Sequence, residues 1–483
     1  MTNGLQLNRT ENSTPVEKSS ISKKIIYSFL QRGTKFLPFA DAASVNLPLS
    51  RLLRLSLFQV SVGMALALLI GTLNRVMIVE LHVPASWVSV MVAMPIVVAP
   101  FRAIIGFSSD VHQSQLGWKR VPFIWRGTMV QFGGLAIMPF ALLVLSGMGQ
   151  ASRAPEWVGH LGAGVAFLLV GAGLHTTQTA GLALATDLAP EESRPKVVGL
   201  MYVMLLIGMM LSALVFGMIL KDFTPGRLIQ VIQASALLTI VLNVIALWKQ
   251  ESRVKKPSYL KQKTETFKES WIRFCYGDQA LRRLIAVGLG TIAFSMEDIL
   301  LEPYGGEVLH LSVGATTALT ATLALGGLVG FALASNILSK GFDPFKMASI
   351  GALFGIPAFL CVIISAPLES SLIFAFGIFS IGFGGGLFGH GTLTATMNLA
   401  PPGQSGLALG AWGAVQATAA GIAIAVSGII RDVIDSIYQA PLGYNCVYAL
   451  EIVMLFATII TMAPLVLKMP RAQSNNQIPK DLG

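Results

Sequence analysis

Residues 294–310, "FSMEDILLEPYGGEVLH", place four carboxylates in a chain that is otherwise largely apolar. They are Glu297, Asp298, Glu302 and Glu307. A charge at the centre of a bilayer costs about 2.5 to 3.5 kcal/mol on insertion scales, and such groups usually face the interior of a helix bundle. On one helix, Asp298 and Glu302 are spaced i, i+4 and share a face, where like charges repel. The spacing predicts that one of them is protonated or that a cation lies between them.

Arg75 is the cation best placed to meet these acids. It lies in the first apolar segment, at a depth in the membrane similar to that of the acids. One interpretation is therefore a structural ion pair between Arg75 and Glu302 or Asp298. Two alternatives stay open: the acids contact a ligand or carry a proton, or they are exposed at the membrane surface near Pro303.

A second polar band contains two histidines. "GLHTTQTAG" places His175 and Gln178 inside one apolar segment, and "FGHGTLTAT" places His390 inside another. A neutral imidazole in an apolar cavity can be an axial ligand for the magnesium of a chlorin ring, and it can equally hydrogen-bond between helices. The glycines around His390 admit a flat macrocycle or let two helices pack closely; these are Gly384, Gly385, Gly386, Gly389 and Gly391. The pigment-binding candidates are His175, Gln178, His390, Glu297, Asp298 and Glu302.

Motifs for enzymatic chemistry are missing from the sequence. It contains no G-x-x-x-x-G-K-S/T phosphate loop, no H-E-x-x-H and no G-x-S-x-G. Cys275, Cys361 and Cys446 are far apart, a pattern that predicts neither a disulfide framework nor a metal cluster. We therefore expect no enzymatic activity, and no directly bound metal apart from a magnesium carried by a chlorin.

The elements that position these residues are membrane spans. Of the 483 residues, 54% are hydrophobic and 12% charged, against about 25% charged in a typical soluble protein. Apolar runs of about 20 residues, long enough to cross a bilayer, predict twelve helices near 55–79, 84–107, 122–148, 157–187, 197–220, 226–248, 284–304, 312–338, 347–366, 370–399, 405–430 and 445–467. The chain is predicted to be an all-α integral membrane protein.

The net charge of +10 reports topology. Most of the 34 Lys and Arg residues lie before the first span, after the even-numbered spans, or at the C-terminus. This distribution follows the positive-inside rule and predicts that both termini are cytoplasmic. It favours contact with membrane lipid and argues against nucleic acid as a partner. The polar first fifty residues do not resemble a secretory signal.

The predicted spans divide into two groups of six. The predicted parts are an N-terminal segment with an interfacial amphipathic helix (1–54), a first six-helix half (55–248), a basic cytoplasmic linker (249–283), a second half (284–468) and a cytoplasmic tail (469–483).

An internal repeat relates the two halves. When the chain is aligned with itself, Leu188-Ala189-Pro190 falls on Leu399-Ala400-Pro401, and Leu81-His82 matches Leu309-His310. Parallel six-span repeats are the plan of the major facilitator fold, which places its ligand site between the halves near the midplane. We expect twelve transmembrane helices in two pseudo-symmetric halves.

The turn after the second span supports this fold. "GFSSDVHQSQLGWKR" resembles the signature turn of the major facilitator superfamily, lengthened in the middle. In that pattern the acid faces a helix N-terminus in the other half, and the basic residues hold neighbouring loops. The resemblance implies that Asp110, Lys119 and Arg120 form a latch between the halves.

Longer phrases resemble one branch of that superfamily. "FLPFADAASVNLPLSRLLRLSLFQVSVGMA", "GTLNRVMIVELHVPASW", "APFRAIIGFSSD", "GWKRVPFIWRGTMVQFGGLAIMPFALL" and "FSMEDILLEPYGGEVL" are similar to the bacteriochlorophyll-delivery family, the PucC and LhaA light-harvesting assembly factors of purple bacteria. The resemblance covers nearly all of the chain from Phe36 onward.

That resemblance implies an assembly factor of the photosynthetic membrane. Its cargo would be bacteriochlorophyll, delivered to newly inserted α and β antenna polypeptides, and no other cofactor is expected. It implies chlorophyll synthase and the membrane-insertion machinery as partners, and the intracytoplasmic (inner) membrane as location. The core antenna (LH1) is slightly preferred over the peripheral one (LH2) as client. The alternative drawn from the intramembrane acids is a proton-coupled secondary transporter of a small solute.

Overall fold

The computed structural model describes residues 47–99, 101–102, 105, 108–109, 114, 117–147, 154–190, 193–251, 280–398, 405–438 and 441–467. Regular structure in these ranges is entirely helical. The predicted interfacial helix of the N-terminal segment, nearly all of the basic linker and the C-terminal tail lie outside the described residues, so those predictions stay open.

Twelve helical elements follow the order of the predicted spans. They are α1 (Leu49–Glu80), α2 (Ala85–Ala93), α3 (Val121–Leu145), α4 (Glu156–Leu188), α5 (Arg194–Ile219), α6 (Pro225–Leu247), α7 (α7a, Ala280–Ala293, and α7b, Leu301–Glu307), α8 (Val313–Leu338), α9 (Pro344–Ser365), α10 (Ser371–Asn398), α11 (Ser405–Asp435) and α12 (Leu442–Leu467). Among the described residues, eleven helices are long and apolar enough to cross a membrane. The remaining one, α2, continues into a 3-10 segment, Met94–Val98, and is described only in part beyond it.

Several helices begin where the local sequence predicts a start. The Asp343 side chain accepts a hydrogen bond from the backbone N–H of Lys346 at 2.8 Å, and Pro344 occupies the first position of α9. At the start of α6, the Thr224 side chain likewise accepts a backbone hydrogen bond, and Pro225 occupies the first position. A short polar side chain satisfies an unpaired N–H of the first turn, and proline has no N–H to lose there. These residues fix the ends of the spans.

The seventh span is interrupted, although the sequence predicts a continuous helix. α7a ends at Ala293, a short 3-10 turn covers Glu297–Ile299, and α7b begins at Leu301. Pro303 explains part of the break, because it has no N–H to donate to the carbonyl four residues earlier, that of Ile299. The side-chain amide of Asn74 on α1 donates to that carbonyl at 3.1 Å. The first half of the molecule therefore supplies a hydrogen bond that the interrupted helix of the second half lacks.

The end of α1 is irregular in the same region. Ala67–Leu73 and Val76–Glu80 are π-helical, with wider turns than an α-helix. Just beyond the two paired spans, His82 and His310 both adopt left-handed backbone conformations, with φ of 52° and 54°. Non-glycine residues seldom adopt this conformation. Its occurrence at both matched positions supports the internal repeat.

The halves pack closely where small residues meet. A Cβ atom added to Gly428 of α11 would lie 2.6 Å from the carbonyl oxygen of Ala85 on α2, and one added to Gly217 of α5 would lie 2.9 Å from that of Gly314 on α8. Small residues let transmembrane helices approach to this distance. The α2–α11 and α5–α8 pairs, with α1 against α7, join the halves around the polar residues described next.

Candidate functional site

Glu302 lies at the junction of three spans. Its carboxylate accepts a hydrogen bond from the Thr320 hydroxyl of α8, and its side chain packs against Gly71 of α1. Glu302 is buried, and its Oε2 has no hydrogen-bond partner among the described residues. This predicted site residue therefore lies between the halves, on the interrupted helix.

Glu297 points instead toward α12. Its carboxyl group lies beside that of Glu451, and both residues are buried. Neither oxygen of Glu451 receives a hydrogen bond from a described N–H or hydroxyl group, and the hydroxyl of the buried Tyr448 is also unpaired among the described residues. A hydrogen bond between the two carboxyl groups requires that one of them carries a proton. We did not predict Glu451 or Tyr448, although Glu451 is the only charged residue within α12 and so gave a usable signal.

Asp298 and Glu302 do not share one helix face, although their i, i+4 spacing predicts that they do. Asp298 belongs to the 3-10 turn and Glu302 to α7b, so the interruption lies between them. Asp298 is part-buried, and its backbone carbonyl accepts a second, longer hydrogen bond from Asn74 at 3.4 Å.

The predicted ion pair between Arg75 and Glu302 or Asp298 is wrong. The Arg75 guanidinium pairs with Glu80 at 2.5 Å and donates to the carbonyl of Leu311 at 3.3 Å. The π-helical turn gives the reason, because it places residues five apart next to each other. The acidic partner of Arg75 thus lies on its own helix, and its contact with the second half is to the neutral Leu311 carbonyl.

A separate polar cluster forms in the first half, and it contains two predicted residues. Arg102 donates to the side-chain oxygens of Gln178 and Thr179, each at 3.1 Å. Gln178 in turn donates to Gln59 of α1 at 3.4 Å. His175 lies one turn earlier on α4, and no described hydrogen bond reaches its buried Nδ1. Gln178 thus joins spans, whereas the buried Nδ1 of His175 has no hydrogen-bond partner among the described residues.

His390 occupies different surroundings in the second half. It is buried, and its ring centre lies 4.2 Å from that of Phe331 on α8. Most of the nearby glycines serve close helix packing: a Cβ on Gly386 would lie 2.5 Å from the Gly327 carbonyl, and one on Gly391 would lie 2.8 Å from the Ala348 nitrogen. Gly389 differs, since a Cβ there would meet no atom within 4 Å. Helix packing therefore accounts for most of this glycine-rich stretch.

The turn before α3 connects spans of the first half, in contrast to the predicted latch between the halves. The Glu251 carboxylate, just beyond α6, accepts from the backbone N–H of Lys119 at 2.7 Å and from those of Arg120 and Val121 at about 3 Å. The Arg120 guanidinium pairs with Asp187 at the end of α4 at 3.0 Å. Glu251 thus supplies the negative charge at the N-terminus of α3. Asp110, the third residue of the predicted latch, lies outside the described residues.

A polar connection between the halves occurs at the opposite end of the bundle. Asp432 of α11 accepts a hydrogen bond from the backbone N–H of Ser86, in the first turn of α2, at 2.6 Å. Arg431 holds this acid at 2.9 Å and also binds Glu307 of α7b at 2.6 Å. A carboxylate at a helix N-terminus is the arrangement predicted for Asp110, and here a different acid provides it. The charged residues of "RDVID", at the end of α11, could have indicated this connection from the sequence.

Comparison with known proteins identifies relatives that match most of the chain. The sequence model of the family described as "PUCC protein" matches residues 72–469. "Protein PucC" of Rhodovulum sulfidophilum is 61% identical over 417 residues, which cover 86% of this chain and 92% of that protein. An "Uncharacterized protein in puhA-bchM intergenic region" of Rhodobacter capsulatus is 52% identical and covers 89% and 92%.

A solved structure, that of a D-xylose-proton symporter, superposes with a TM-score of 0.65 at 14% identity, covering 85% of this chain and 96% of the symporter. The predicted major facilitator fold is therefore confirmed for this multi-pass membrane protein.

Proposed function

Because the chain belongs to the PUCC protein family, we propose that it is an assembly factor of the photosynthetic apparatus that binds bacteriochlorophyll and delivers it to antenna polypeptides. The relatives come from photosynthetic bacteria, and one is named for its position between puhA and bchM. The observation that carries the proposal at the residue level is the available imidazole of His175, which no described hydrogen bond reaches.

His175 suits the magnesium of the pigment for a chemical reason. Histidine coordinates metals through a neutral ring nitrogen, and a ring that is already hydrogen-bonded on both sides cannot do so. His390 is the second candidate, in the apolar surroundings of Phe331. When bound, magnesium would supply a Lewis-acidic centre to be coordinated. The chain's own residues would orient the ring and keep water away from it.

The expected partners follow from this role. They are newly inserted α and β antenna polypeptides, chlorophyll synthase, the membrane-insertion machinery and the surrounding lipid. The expected client is the core antenna (LH1) in preference to LH2, and the expected location is the inner photosynthetic membrane with both termini cytoplasmic. Pigment delivery requires groups that bind a ligand and does not require catalysis. The candidate site consists of such binding groups.

Pigment content of the purified protein tests the proposal. The full chain is isolated in mild detergent from a pigment-producing host, and bacteriochlorophyll is measured by far-red absorbance per mole of protein. We expect His175→Ala to lower the pigment content several-fold. His160→Ala is the matched control, because His160 lies on the same helix but packs against Trp87 at 5.8 Å. Pigment-free wild-type protein, together with normal antenna levels in a deletion strain, would reject the proposal.

A second candidate function is proton-coupled transport of a small solute. It is favoured by the buried Glu297–Glu451 contact, because two facing carboxyl groups can hold and release a proton. The interruption of α7 supports it too, since discontinuous helices line the substrate sites of many transporters. Uptake into proteoliposomes that depends on a pH gradient and is lost in Glu297→Gln would favour this function over pigment delivery.

A further inference from the structure

Arg102 is a cation inside the bundle whose described partners are all neutral. Its guanidinium donates to Gln178 Oε1 and Thr179 Oγ1. It forms no ion pair with any carboxylate among the described residues. Arg75, Arg120 and Arg431 each have an acidic partner within 3.1 Å. Unlike these three arginines, Arg102 has only neutral partners among the described residues.

An uncompensated guanidinium at this position is costly. A guanidinium inside a membrane helix bundle is costly without a counter-charge, and such residues usually pair with an opposite charge or mark a binding site. Two neutral acceptors bind some of the five N–H donors of Arg102 but do not neutralise its charge. An anion would neutralise it, and a planar carboxylate matches the guanidinium best.

The surroundings of Arg102 suit a flat amphipathic molecule. His175 lies three and four residues before Gln178 and Thr179, on the same face of α4 and about 5.4 Å along the helix axis. Tyr202 of α5, which interacts electrostatically with Arg102, packs edge-on against Trp412 of the second half with ring centres 6.2 Å apart. A cation, an available imidazole and aromatic rings therefore lie close together where the two halves meet.

We propose that Arg102, held by Gln178 and Thr179, binds a carboxylate on the ligand of this site, namely the unesterified propionate of a magnesium chlorin coordinated at His175. This inference rests on the proposed function and specifies the chemical form of the pigment. A propionate side chain on the ring reaches the distance of one helical turn that separates His175 from the residues holding Arg102. Bacteriochlorophyll itself is the ester and has no charge at this position. Once esterified, the pigment therefore binds more weakly and leaves more readily for the antenna polypeptides.

Ligand titration of the purified full chain tests the inference. The two probes are bacteriochlorophyllide, whose propionate is free, and its methyl ester, which has the same ring and magnesium without the charge. Binding is followed by the far-red absorbance shift. We expect the free acid to bind at least about tenfold more tightly, since a hydrogen bond to a charged group contributes about 1.5 to 3 kcal/mol. Arg102→Gln should abolish this preference, so that this variant binds the acid and the ester with equal affinity.

The matched control is Arg126→Gln. Arg126 is exposed on α3 and lies over the Phe123 ring at 5.9 Å, so the acid preference should persist in this variant. Equal affinity of the wild-type protein for acid and ester overturns the inference while leaving pigment binding intact, and this comparison needs no variant. If neither probe binds, the proposed function itself is rejected.

Oleate is the third probe, because a lipid carboxylate offers the same charge. If oleate at an equal concentration displaces the chlorin acid, the site takes lipid carboxylates and the assignment to the pigment is wrong. Persistence of the chlorin acid under those conditions supports the assignment.

Discussion

Replacing Glu80 by glutamine tests the ion pair that the π-helical end of α1 creates. Breaking a buried pair by removing one partner costs about 3 to 5 kcal/mol, whereas exposed pairs contribute about 1 kcal/mol or less. The Arg75 side chain is 4% exposed and that of Glu80 is 35% exposed, so this pair lies between those limits. Glu80→Gln leaves a buried guanidinium with the Leu311 carbonyl as its remaining partner. We expect the free energy of unfolding to fall by about 2 kcal/mol.

Replacing Arg75 should lower the free energy of unfolding by less than replacing Glu80. Arg75→Met fills the buried volume with an apolar side chain and leaves Glu80, which is partly exposed and can be hydrated. We expect a loss of about 1 kcal/mol for this variant. The double variant should lose less than the sum of the two, with a coupling free energy of about 1 to 2 kcal/mol.

A second double-mutant cycle provides the decisive comparison. Arg75→Met is combined with Glu302→Gln, and unfolding in mixed micelles of increasing dodecyl sulfate content is followed by tryptophan fluorescence. The coupling of Arg75 to Glu302 should be clearly smaller than its coupling to Glu80, because Glu302 is bound by Thr320. A larger coupling to Glu302 would refute the assignment of the pair to one helix.

Three further variants test other contacts. Glu297→Gln should leave the melting temperature in detergent unchanged or raise it, because it removes one of two facing buried carboxyl groups; a marked fall would show that Glu451 needs the charge. Gly386→Ala should destabilise the protein by about 1 to 3 kcal/mol through overpacking, whereas Gly389→Ala, with no atom within 4 Å of its Cβ, should match wild type in the same thermal assay. Glu251→Ala should cost about 1 kcal/mol, typical for loss of an N-terminal cap; an unchanged melting temperature would contradict its role at α3.

The fold could be predicted because a bilayer imposes strong constraints on sequence. Every backbone polar group in the hydrocarbon region must be satisfied, so long apolar runs are helical whatever their packing. α10 shows how closely this holds: the predicted run is 370–399 and the helix is Ser371–Asn398. The Leu81-His82 and Leu309-His310 match likewise corresponds to two left-handed residues at equivalent helix ends.

The partners of the charged residues could not be predicted in the same way. The i, i+4 argument for Asp298 and Glu302 assumes an unbroken α-helix. The pairing of Arg75 was inferred from its depth and from the repeat that makes the first span the partner of the seventh. Pro303 was a visible signal of interruption, yet its effect depends on a donor from another span, Asn74, which no local pattern reveals. The roles of His175 and His390 stay predictions, because their chemistry depends on a ligand.

The hydrogen bond from Asn74 to Ile299 makes each half of the molecule incomplete without the other. A second half produced alone would carry an unpaired carbonyl within the membrane, a defect worth several kcal/mol in hydrocarbon. Residues 252–279, between α6 and α7a, are where a split gene would separate the two polypeptides. The two pieces should therefore reassemble when co-expressed, and Asn74→Leu in the first piece should impair that complementation. The hydrogen bond that compensates for the interruption at Pro303 is thus also a means by which one half recognises the other.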